Sequence, residues 1–228
     1  MERLMPDKMA RFPDPASPNP LPHAPRVQWL KSLISRPNID VGAYSYYDDP
    51  VAPERFETDN VLYHFDHVGD TLRIGRFCAL AAGTTFIMNG ANHKTDGIST
   101  FPFPIFGADW DRHMPLLQDI PSRGDTVLGH DVWCGYQSLI MPGVTIGHGA
   151  VIASRSVVVS DVPPFAIVAG NPARIVKMRF SPEDCIRLLA LAWWDWPIER
   201  ISRHVPLIMN GDIAALEEAK SRDEACAF

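Results

Sequence analysis

His93 stands where proton transfer could take place. It closes the run Asn89-Gly90-Ala91-Asn92-His93 inside residues 89–124. An imidazole of unperturbed pKa about 6.5 can take up and return a proton near neutral pH. The amides of Asn89 and Asn92 could fix its tautomer, and they could equally build turns. The same stretch carries Phe101, Phe103, Phe106 and Trp110, with Phe86 just before it. Apolar surface beside polar groups is what a small-molecule pocket requires, and so many aromatics argue against disorder in a segment of this length. Arg174, Lys177 and Arg179 form the densest basic cluster, with Arg155 earlier in the chain. Such a cluster either holds an anion or is a solvated face. His130 and His148 stand eighteen residues apart and could share a metal ion, with His64 or His67 as a third ligand.

The elements that must position these groups follow a period of six. Leu128, Cys134, Ile140, Ile146, Ile152 and Val158 share one phase and are all apolar. Four places further along each unit, Val132, Ser138, Val144, Ala150, Ser156 and Val162 are all small or β-branched. Hexads of this kind are the signature of a parallel β-helix, in which each unit supplies one short strand and one corner and three units close a triangular coil. Stacked coils bury what one coil cannot. The phase appears earlier at Val68, Ile74, Leu80 and Phe86, with Leu72, Cys78 and Thr84 in the second column and a weaker start at Val41-Gly42. The pattern predicts a β-helix domain over 38–180, interrupted by an inserted loop at 89–124. His130 and His148 take the third place of their hexads, where turn residues face solvent.

Seven prolines before residue 26 predict a flexible arm, and Val27–Ser35 could form one short helix before Pro37, so that residues 1–37 precede the prism. Beyond it, Ser181-Pro182-Glu183-Asp184 opens a helix with a capping hydroxyl, a first-turn proline and two acids against the dipole. Pro197 divides this helical tail of 181–228, and Asp212 can cap a last helix through Ala219. Trp193, Trp194 and Trp196 are expected to pack the tail against the prism's end. With 46% apolar residues and a net charge of −6, the chain has ample core and no global attraction for nucleic acid or anionic membrane. No apolar run approaches a membrane span and no charged-then-apolar leader opens the chain, which predicts a cytoplasmic protein. Cys78, Cys134, Cys185 and Cys226 lack C-x-x-C spacing, and two of them fall in inward columns, as reduced core-filling thiols would.

Taken together, several of these stretches resemble one family. They are Tyr44-Ser45-Tyr46-Tyr47-Asp48, Phe86 through Asn92-His93 to Phe106-Gly107, Gly129-His130-Asp131-Val132-Trp133, Met141-Pro142-Gly143-Val144, Gly170-Asn171-Pro172-Ala173 and Trp193-Trp194-Asp195-Trp196-Pro197. Their order resembles the hexapeptide-repeat xenobiotic acetyltransferases over about residues 38–200. The Asn-Gly-Ala-Asn-His-x-x-Asp-Gly run favours the streptogramin A (virginiamycin-type) O-acetyltransferases over the type B chloramphenicol acetyltransferases.

The resemblance implies a left-handed coil, a homotrimer with sites in the clefts between subunits, and direct transfer of acetyl from acetyl-CoA to a hydroxyl of an antibiotic, with no metal. His93 falls on the family's catalytic base and Trp133 on a tryptophan associated with catalysis. Small Gly135, Ser154 and Gly170 are expected to let the pantetheine of acetyl-CoA approach the backbone, and Arg174 and Lys177 to hold its phosphates. Tyr46 matches a tyrosine at the family's antibiotic site, and Asn92, Pro102, Phe103 and Met114 belong to the loop expected to cover the acceptor. Three departures touch that pattern: Ile98 lengthens the Asp-Gly-Ser-Thr stretch, Phe65 stands where tyrosine is usual, and Cys134 replaces an isoleucine. The alternatives are acetylation of chloramphenicol or a sugar hydroxyl and, in a different class, a γ-carbonic-anhydrase-like zinc enzyme built on the same prism.

Overall fold

The computed structural model describes residues 12–118 and 120–225. The first eleven residues of the proline-rich arm, Asp119, and Cys226 with the two residues after it lie outside the described residues. Strand β1 (Val27–Trp29) leads into four stacked coils. The first is β2 (Ile39–Val41), β3 (Tyr46–Asp48) and β4 (Val61–Leu62), and the second is β5 (Leu72–Ile74), β6 (Ala79–Ala81) and β7 (Thr85–Ile87). The third is β8 (Thr126–Leu128), β9 (Trp133–Cys134) and β10 (Leu139–Ile140), and the fourth is β11 (Thr145–Ile146), β12 (Val151–Ile152) and β13 (Val157–Val158). Strands β14 (Ala166–Gly170) and β15 (Ala173–Met178) finish the prism.

Corresponding strands pair in parallel to make the three faces, ordered β2-β5-β8-β11, β4-β7-β10-β13 and β3-β6-β9-β12-β14, the last flanked by antiparallel β1 and β15. Both hexad columns point inward: every residue of the set from Leu128 to Val158, and of the set from Val132 to Val162, is buried. Backbone approaches backbone at the stacked glycines, where a Cβ on Gly75 would sit 2.5 Å from the Gly129 carbonyl oxygen. The next corner turns each time at a residue of positive φ, at Tyr44, Phe77, Asp131, Gly149 and Phe165. That repeated left-handed turn lets successive coils superimpose.

Four expectations change. Val68 belongs to a 3-10 turn, Asp66–Val68, and is only half-buried. Val61 takes the inward place before Ile74, pairing with Phe86. Val27–Ser35 is not one helix: Val27, Gln28 and Trp29 pair with Asp48, Tyr47 and Tyr46, and a 3-10 turn, Leu30–Leu33, follows. A nine-residue helix is marginal alone, whereas the open edge of β3 offers unpaired backbone groups. The tail comprises α1 (Pro182–Leu191), capped by Ser181 Oγ accepting from the Asp184 N–H at 3.1 Å, then α2 (Ile198–Asn210) and α3 (Ile213–Ala225). The last helix outruns Ala219 because Lys220 to Ala225 contains no breaker. The tryptophans seat the tail along a corner of the prism, not over its end, where β15 pairs with β14 instead.

Candidate active site

The inserted loop leaves the prism after β7 and returns at β8, and a polar knot closes its neck. Asn89 uses its whole amide there. Its Oδ1 accepts from the Arg123 N–H at 2.8 Å and from Asn92 Nδ2 at 3.1 Å, while its Nδ2 donates to the Gly124 carbonyl and to Asp70 Oδ2, both at 2.8 Å. Asn92 Nδ2 also donates to the Pro121 carbonyl at 2.9 Å. Beyond the neck the loop folds on itself in 3-10 turns, Phe103–Phe106 and Ala108–Leu117, and its aromatics stack on one another. Phe101 lies 5.0 Å from Phe106 and 4.7 Å from Phe103, which meets Trp110 at 5.2 Å.

His93 lies exposed on this loop with Nδ1 2.8 Å from the Thr100 carbonyl oxygen. A carbonyl can only accept, so Nδ1 carries the proton and Nε2 is left with its lone pair open. The tautomer is thus set by Thr100 and not by Asn89 or Asn92, whose amides hold the neck. A backbone carbonyl is carried by every residue, so nothing in the sequence marked Thr100. A cavity of about 1250 Å³ lies against the ring, and Asn92, Pro102, Phe103 and Met114 all line it with His93. Phe65 lines it too, its ring packed close over Gly90 and stacked on His67 at 5.6 Å.

The other expected site residues lie elsewhere, on the outer surface of the β3-β6-β9-β12-β14 face. Tyr46, Ala79, Trp133, Val151 and Ile167 stand in register along one row, with Trp133 56% exposed. Burial, with Asp48 nearby, raises the Tyr46 phenol above the ordinary tyrosine value and keeps it a donor. Two residues further on, the alternation of strands gives a second outward row of Asp48, Ala81, Gly135, Ala153 and Ala169. Gly135 is tight against Ser154, whose backbone nitrogen would be 2.7 Å from an added Cβ. Gly170, at φ 103°, donates its N–H to Ser156 Oγ at 3.2 Å.

Two of the basic residues join this surface through an irregularity. Arg174 faces Ala169 and Lys177 faces Ile167, with one extra residue, Val176, on β15 between the paired positions. In a regular strand residues three apart point to opposite sides; the bulge restores Arg174 and Lys177 to the same outer side. Both are exposed, and neither makes an ion pair among the described residues. Arg179 is engaged internally, donating to the Gly149 carbonyl at 2.6 Å and pairing with Asp131 at 3.4 Å. Arg155 is held by the Gln137 amide oxygen at 3.1 Å.

His130 and His148 do not stand free in solvent but are half-buried. They stack at 5.0 Å, and Trp194 covers them at 5.7 and 4.8 Å. His130 Nδ1 accepts the Arg76 N–H at 2.8 Å, and His148 Nδ1 accepts the His130 N–H at 2.9 Å. Burial holds both imidazoles below the usual histidine pKa, helped at His130 by the neighbouring His148. Each therefore serves as a corner strut. His64, the suggested third ligand, is buried with Nε2 donating to the Asp70 carbonyl at 2.9 Å. No group of three His, Cys, Asp or Glu able to hold a metal ion occurs among the described residues. No helix there is long and apolar enough to cross a membrane.

Triangular coils and an inserted histidine loop together define a class, the hexapeptide-repeat acyltransferases. No family model matches the chain. It is 48% identical over 208 residues to the virginiamycin A acetyltransferase of Staphylococcus aureus, covering 91% of this chain and 94% of that protein. It is 48% identical over 175 residues to a probable macrolide acetyltransferase of Lysinibacillus sphaericus, covering 77% and 96%. It is also 43% identical over 190 residues to a chloramphenicol acetyltransferase of Escherichia coli, covering 82% and 90%. A hexapeptide-repeat acetyltransferase of Vibrio cholerae, solved with acetyl-CoA, superposes with a TM-score of 0.41 at 27% identity over 64% of this chain and 62% of that one. The chain belongs to the hexapeptide-repeat xenobiotic acetyltransferases, built on a left-handed parallel β-helix, and is an acetyltransferase enzyme.

Proposed function

We propose that the protein transfers an acetyl group from acetyl-CoA to a hydroxyl of a group A streptogramin antibiotic, with His93 as general base. The observation that carries this reading is the Thr100 carbonyl on His93 Nδ1, which presents an unprotonated Nε2 to the loop cavity. Nε2 takes the acceptor's hydroxyl proton as the oxygen attacks the thioester carbonyl. The tetrahedral intermediate collapses with cleavage of the carbon–sulfur bond, and the proton passes from the imidazolium to the departing thiolate, giving the acetyl ester and free CoA. The thiols of Cys78 and Cys134 take no part, because both are buried.

The two outward rows suit acetyl-CoA. Small residues leave a shallow track past Trp133, and Arg174 and Lys177 at its far side offer charge to phosphates. His93 and Trp133 lie on different parts of one subunit, so the reading includes a homotrimer in which the loop of one subunit meets the Trp133 row of the next. The acceptor is assigned on the loop motif and on the 91% coverage by a virginiamycin A acetyltransferase. Incubating the protein and acetyl-CoA separately with a group A streptogramin, chloramphenicol and an amino sugar, while following thiol release, tests it. Release is expected with the streptogramin, and release with chloramphenicol alone would overturn the acceptor. The shared site is tested by refolding His93→Ala and Trp133→Ala chains together. Equal mixing should restore about a quarter of the wild-type sites if each needs two subunits, and none if His93 and Trp133 of one chain act together.

A further inference from the structure

The neck of the loop holds a buried carboxylate that a simple chain crossing does not require. The Asp70 side chain is fully buried, yet it stands on the prism and not in the loop. Its Oδ2 accepts both the backbone N–H and the side-chain Nδ2 of Asn89, each at 2.8 Å. Its Oδ1 has no hydrogen-bond partner among the described residues and lies 3.8 Å from His64 Nε2. Burying a carboxylate with an unused oxygen is costly, and an apolar residue in its place would leave two Asn89 donors without an acceptor. What the carboxylate supplies is direction. A charged acceptor strengthens both Asn89 bonds and fixes which way its amide points. Oδ1 is then turned toward Arg123 and Asn92, and Nδ2 toward Asp70 and Gly124. Asn92, held in turn by Asn89 and Pro121, is the residue immediately before His93.

We propose that Asp70 and Asn89 are positioning residues for His93, a relay from prism to loop that fixes the backbone carrying the imidazole so that its Nδ1 meets the Thr100 carbonyl. The inference rests on the reading of His93 as base. It assigns the neck a share in the rate, beyond closing the loop.

The test compares Asp70→Asn and Asn89→Ala in the wild-type and the His93→Ala backgrounds. In the wild type each substitution should lower kcat about tenfold or more with the KM for acetyl-CoA within about twofold, because a small misplacement of a reacting group costs that much. In the His93→Ala background the residual turnover should change by less than about twofold, since the group being positioned is gone. Equal losses in both backgrounds would overturn the proposal and leave the neck a general support of the fold. Asp70→Asn keeps shape and volume, so it carries the test if Asn89→Ala does not fold. A second measurement is independent of turnover: nitrogen-15 NMR of the histidine rings should show His93 protonated on Nδ1 in the parent and a mixture of tautomers in either neck variant. If the parent releases no thiol with any acceptor, the proposed function fails, and the ring spectra alone decide the neck. Unchanged ring spectra would then refute it.

Discussion

Two regions of this molecule use histidine in opposite senses. At the prism corner, His130 and His148 accept backbone N–H groups at Nδ1, lie half-buried beneath Trp194, and are held to the neutral form by burial. In the loop, His93 donates from Nδ1 to a backbone carbonyl and keeps Nε2 open beside a cavity. The first arrangement spends the lone pair on structure, and the second leaves one free, as the proposed general base requires. A histidine's role here follows from which backbone group meets Nδ1, a distinction that residue type does not carry.

The sharpest way to break this contrast is to delete one imidazole from each region. His93→Ala should lower kcat by about 10²–10⁴, the range general-base catalysis supplies, with the thermal midpoint nearly unchanged. His148→Ala should do the reverse, and steady-state kinetics beside thermal unfolding separates the two. If His148→Ala removed activity while leaving the midpoint in place, the corner would not be a strut. The next effect in size belongs to Trp194, which is 2% exposed. Trp194→Ala should cost about 3–5 kcal/mol by loss of packing, read from denaturant unfolding.

Acid should act on the corner more gently. The folded pKa values of His130 and His148 are lowered, so the unfolded chain binds protons more readily below its own value of about 6.5. The corner's contribution is therefore full above that pH and is lost as pH falls through the lowered folded values. The unfolding midpoint should drop by a few degrees on acidification, and the drop should shrink in the double variant His130→Gln/His148→Gln, where neither imidazole is left to titrate. The smallest effect concerns the thiols. Burial pushes Cys78 up to about 12 and Cys134 higher still, so a thiol reagent should leave both unmodified in the native protein and should not inhibit it; mass spectrometry of the labelled chain reads the outcome.

The prism was legible because its rule is local and repeated: a six-residue phase needs only apolar and small side chains at two positions, and every one of those from Leu128 to Val162 is buried. Where the rule lapsed, the reading lapsed with it. Val68 fitted the phase by chance, and Val61 was hidden by the detour at 49–60, which drops Phe56 into the core against Tyr47 and Phe86. The edge pairing of Val27–Trp29 depends on a partner strand that no local pattern announces. At the candidate site, His93 was visible as a residue, but the carbonyl that sets its tautomer and the carboxylate beneath its loop come from contacts with Thr100 and Asp70 that only folding creates. The charge of Arg174 and Lys177 could be read directly. Their shared side could not, since it depends on one extra residue in β15.

The loop enters and leaves through a single neck, and the strands beneath it stack as though it were absent: β7 goes on to pair with β10, and β5 with β8. On the proposed reading, the loop's share of acceptor recognition is thereby separated from the load of holding the strands. A graft cut at Met88 and Asp125 that keeps the neck residues Asn89, Asn92, Arg123 and Gly124 should then shift acceptor preference with little change in the unfolding midpoint, all within the thirty-six residues of 89–124.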